Sequence, residues 1–66
     1  MPKLPRWTAR EAEAELQRAG FGLTRSKGSH RIYQRGRERM VLPFHPGKTL
    51  HPKIVRQIFD ATHPDG

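Results

Sequence analysis

A glycine-led turn in the middle of the chain constrains its fold more than any other feature. Gly28-Ser29, with glycine first, has the chemistry of a type II′ hairpin turn, and Arg35-Gly36-Arg37 is a second turn signal resting on one glycine. Between and around them lie three runs that read as strands. Residues 21–27 alternate, with Phe21 and Leu23 on one face against Gly22, Thr24 and Ser26 on the other. His30 to Arg35 gives a second strand, and Glu38 to Leu42 a third before Pro43 stops the ladder. The expectation is a three-stranded antiparallel meander. Met40 and Leu42 are read as facing inward, Arg39 and Val41 outward; in the second strand Ile32 is read as inward and Tyr33 as pointing away.

A meander this small needs a cover, and the flanks supply one. Thr8-Ala9-Arg10-Glu11 fits a capping box, with Trp7 and Ala12 set for a hydrophobic staple. Ala9, Ala12, Leu16 and Ala19 recur at helical spacing, and Gly20 sits where a left-handed C-cap belongs. After the loop 44–49, His51-Pro52 opens a second helix whose buried face is Leu50, Ile54, Val55, Ile58 and Phe59. The reading is one α+β domain over residues 1–66, ordered α-β-β-β-α, with both helices on one face of the sheet. Residues 1–6 form an extended lead-in and residues 63–66 a polar end.

Sixty-six residues bury little surface, so a partner is plausible on size alone, a weak homo-oligomer included. With no cysteine there is neither a disulfide nor a thiolate metal site. No apolar run approaches a membrane span, and the basic start lacks the apolar segment of a secretion signal, so the expected compartment is the cytoplasm. The net charge is +7, unevenly spread: from Phe21 to Arg56 nine lysines and arginines face one acid, Glu38. Such a segment concentrates a phosphate backbone by counterion release and steers its approach.

The chemistry-bearing residues are few. His45 and His51 match no common metal-ligand spacing, and carboxylates are scarce around them, so neither metal nor cofactor is expected. Ser29 beside His30 invites a nucleophile reading, but neighbours along a strand point to opposite faces; Ser29 is better read as part of the turn. His30 carries two readings. Its imidazole can exchange a proton near neutral pH, with Lys27, Arg31 and Arg39 to bring a phosphodiester to it, or it simply caps the hairpin and contacts phosphate. RNA would supply its own nucleophile, the 2′-hydroxyl, so no metal is needed. Tyr33, between Arg31 and Arg35, either stacks on a splayed base or packs across the sheet; Trp7 is a staple before it is a stacking platform.

The run Gly28-Ser29-His30 with Ile32-Tyr33, then Pro43-Phe44-His45 with Gly47-Lys48 and Leu50 ahead of a helix, resembles the HicA toxins of HicA/HicB toxin–antitoxin pairs. The opening Trp7-Thr8 helix ending at Ala19-Gly20-Phe21 is similar too, so the resemblance runs from about Thr8 to Phe59. It implies a fold like a double-stranded RNA-binding domain, an mRNA-cleaving activity that arrests translation, and a HicB-type antitoxin covering the active surface. On it, His30 is the catalytic histidine and His45 matches the family's second histidine; apart from the resemblance, His45 or Lys48 is read as the candidate acid. Lys27, Gly28, Ser29, Arg31, Tyr33, Arg39 and Lys48 form the expected RNA-binding set. The rival reading is a non-catalytic module of the same fold that binds RNA by shape and phosphates.

Overall fold

The structure, a computed structural model, describes residues 4–64. Its elements are α1 (Ala9–Arg18), β1 (Gly22–Lys27), β2 (His30–Arg35), β3 (Glu38–Pro43) and α2 (Pro52–Thr62). The lead-in's first three residues and the last two of the polar end lie outside the described residues.

Helix α1 begins and ends as its sequence dictates. The Thr8 hydroxyl accepts from the Glu11 amide at 3.3 Å while a Glu11 carboxylate oxygen accepts from the Thr8 amide at 2.9 Å, the reciprocal capping box. At the other end Gly20 takes φ +96°. Its amide donates to the Gln17 carbonyl (3.0 Å) and the Phe21 amide to that of Leu16 (2.9 Å), the Schellman pattern that returns the chain toward the core. Phe21 and Leu16 are both buried there. Helix α2 carries Pro52 in its first turn, and His51 caps it by accepting the Lys53 amide on Nδ1 at 3.1 Å.

The sheet has the order β1-β2-β3, antiparallel throughout. Lys27 pairs with His30 and Arg35 with Glu38, so both hairpins close through two residues with glycine leading at φ +58°. β3 runs one residue further than expected, through Pro43; an edge strand tolerates proline because the missing amide has no ladder partner to serve. Both helices cover one face, where Ala12, Leu16, Phe21, Tyr33, Leu42 and Ile58 form the core.

One facing is the reverse of the expectation. Tyr33 is fully buried and Ile32 lies half-exposed on the uncovered side. Register explains the exchange, because Tyr33 pairs with Met40 and Arg31 with Leu42, and cross-strand partners share a face. Period 2 allows either choice; the tyrosine wins because its ring fills the core while its hydroxyl reaches a partner, the Glu13 carboxylate. β1 departs as well. A register shift at Thr24 breaks its alternation, and Leu23 is left about half exposed. No helix among the described residues is long and apolar enough to cross a membrane.

Candidate functional site

The uncovered face of the sheet follows from the register. His30, Ile32 and Gln34 of β2 share it with Arg25 and Lys27 of β1 and with Arg39, Val41 and Pro43 of β3. It carries three cations, one imidazole and no acid. Among the described residues the acids lie elsewhere: Glu11, Glu13 and Glu15 on α1, Asp60 on α2, and Glu38 on the helix-covered side, where it pairs with Arg35. A phosphate chain laid on this face meets attraction without a repelling carboxylate.

His30 is exposed at the first position of β2. Its cross-strand partners are Lys27 on one side and Pro43 on the other. The Gly28-Ser29 turn holds it there, and the Phe44 amide anchors that turn by donating to the Ser29 carbonyl at 2.6 Å. Consequently His45, Pro46 and Gly47 leave the sheet beside the turn that presents His30. His45 and Lys48 are both exposed in this loop, which closes on itself where the Lys48 amide donates to the His45 carbonyl (3.2 Å). An open cleft of about 510 Å³ has His30 and Arg39 in its lining.

The expected set therefore divides. Lys27 and Arg39 share a face with His30, and Gly28 and Ser29 form the turn beside it. Tyr33 does not stack on a base: it is sealed in the core. Burial first, then the hydrogen bond to Glu13, raises its phenol to a pKa of about 12. Arg31 lies on the helix side of the strand, its guanidinium 3.0 Å from Glu13 and stacked 3.8 Å over the Phe44 ring. Its charge is engaged in holding α1 and the loop after β3, not turned to the face where a phosphate would lie. Trp7 packs against α2, its ring 6.1 Å from Phe59, rather than presenting a stacking platform. His63, read as the start of a polar end, stacks on the Phe59 ring at 4.6 Å and so packs against α2.

Two features were missed by reasoning from sequence alone. Arg25 belongs to the cationic face, but the register shift at Thr24 places it there, and simple alternation from Leu23 does not count across that shift. Glu13 reads as one more solvated acid of α1, yet it receives both the Tyr33 hydroxyl and Arg31 from a strand eighteen to twenty residues away. Nothing in the local pattern of α1 announces a contact at that separation. His51, which the sequence places at the opening of the second helix, is the cap of α2. No three His, Asp or Glu side chains converge among the described residues.

Among known proteins, the family described as the HicA toxin of bacterial toxin–antitoxin systems matches residues 9–63. No curated protein and no solved structure matches the chain.

Proposed function

The chain belongs to the HicA toxin family of bacterial toxin–antitoxin systems, and on that premise we propose that it is an mRNA-cleaving endoribonuclease with His30 as its acid–base group. The observation that carries this reading is an exposed imidazole opening a strand on a sheet face that bears Arg25, Lys27 and Arg39 and no acid. Single-stranded or looped RNA is drawn to that face through its phosphates. His30 removes the proton of a 2′-hydroxyl, and that oxygen attacks the adjacent phosphorus. The bond to the 5′-oxygen then breaks, and His45 or Lys48 protonates the leaving oxygen. Products are a 2′,3′-cyclic phosphate and a 5′-hydroxyl. Arg39 and Lys27 neutralise the charge that builds on the phosphoryl oxygens. This route uses no metal or cofactor, takes place in the cytoplasm where mRNA is translated, and is silenced by a HicB-type antitoxin lying over the same face.

Cleavage of a defined RNA carrying a single 2′-deoxy nucleotide tests the chemistry. That nucleotide blocks scission of the bond that follows it and leaves other sites cut, with cyclic phosphate ends throughout. Ends of the 3′-hydroxyl and 5′-phosphate type reject the cyclic route. A salt-sensitive complex with intact RNA and no fragments rejects the enzyme in favour of the binding module.

A further inference from the structure

The cleft that includes His30 is lined on its other sides by Met40, Val41, Pro43 and Ile54, with only Arg39 and Gln57 adding polar side chains. We propose that it is a nucleobase pocket: it takes one unpaired base next to the scissile phosphate, its apolar walls contacting the base and the Gln57 amide reading its edge. This rests on the ribonuclease reading. If His30 engages a ribose and its phosphate, the neighbouring base must be placed within a nucleotide's reach, and the space that shares His30 as lining is this cleft. Its composition suits that occupant. At about 510 Å³ it falls within the range of small-ligand sites, and mostly apolar walls with a few polar groups are what such sites use. A base offers a flat apolar face and a hydrogen-bonding edge; the four wall residues meet the first need. Gln57 meets the second, since its amide presents a donor and an acceptor side by side. Arg39, in the same lining, makes no ion pair among the described residues, which leaves its charge for the phosphate of that nucleotide.

The location also explains why an exposed glutamine stands on α2, at the boundary between the helix layer and the sheet's β3 edge. Gln57 is exposed and takes no part in the core, so replacing it tests recognition rather than folding. The experiment cleaves a randomised single-stranded RNA pool with the full chain and sequences the ends. The parent is expected to favour particular bases at one position flanking the cut. Gln57→Leu flattens that preference and lowers kcat/KM at the preferred site roughly tenfold, the scale of one bidentate base contact. Gln57→Glu keeps the acceptor, loses the donor and shifts the preferred base. On an RNA made abasic at that position, parent and Gln57→Leu cleave alike. An unchanged profile in both variants, while the parent cleaves normally, overturns the pocket and leaves the ribonuclease intact. Weakened antitoxin binding with an unchanged profile assigns the cleft to a protein and also overturns it. A parent that cuts no RNA removes both proposals together.

Discussion

Tyr33 shows how one residue can hold the site's support without touching substrate. Its hydroxyl donates to Glu13, the same carboxylate that receives Arg31, and Arg31 in turn stacks on Phe44, whose amide ties the His45 loop to the His30 turn. Burial and that hydrogen bond raise the phenol from its ordinary value near 10 to about 12. The folded state therefore holds a proton that the unfolded chain releases above pH 10, and stability, complete below that value, falls as pH rises toward 12. Tyr33 is the only tyrosine in the chain, so ultraviolet absorbance of tyrosinate reports it without interference. The native protein should titrate near pH 12 and the denatured chain near 10. Tyr33→Phe should lose about 1 kcal/mol at neutral pH and show no tyrosinate-linked fall in stability between pH 10 and 12. A native titration near 10 would show the hydroxyl to be open to water. Sequence placed Tyr33 on the wrong face because alternation gives a period and not a phase; a hydroxyl's distant partner decides the phase, and Glu13 gives no local sign of being that partner.

At the scale of the elements, the hairpins and helix ends were legible because each is written in adjacent residues. The capping box, the glycine that ends α1, the proline that opens α2 and the turn that presents His30 all appear where the sequence places them. Gly28 needs φ +58°, and a side chain there would meet nothing within 4 Å, so only the backbone resists substitution. Gly28→Ala should cost about 1–2 kcal/mol. In a domain of this size, that lowers Tm by roughly 5–15 °C, measurable by circular dichroism. What the sequence withheld is how the elements are joined. Arg35 donates to the Ala19 carbonyl at the end of α1 (2.7 Å) and to the Ala61 carbonyl near the end of α2 (3.4 Å), with its guanidinium 4.5 Å from the Phe21 ring centre. By charge alone it is one of nine cations between Phe21 and Arg56; by geometry it is a structural clip. Arg35→Ala should destabilise the fold by about 2 kcal/mol, and Arg35→Lys should restore little, since an ammonium cannot span two carbonyls and stack on a ring at once.

Across the whole molecule, charge is segregated. The sheet's uncovered face holds Arg25, Lys27 and Arg39, while the described acids lie on the helices or on the covered side. With His30→Ala used to prevent cutting, single-stranded RNA should bind with a salt slope that becomes about 0.7 shallower for each of these three cations replaced by glutamine. Replacing Arg31, which already pairs with Glu13, should change that slope little. Net charge was readable from composition, but its sorting onto one face needed the register. The claim on which all of this depends is that His30 transfers the proton. Its most direct measurement is the single-turnover rate of RNA cleavage by purified parent and His30→Ala proteins, with folding checked through the Tyr33 titration. His30→Ala should cleave about 10²–10⁴-fold more slowly while still folded; equal rates for the two proteins would show that His30 does not transfer the proton.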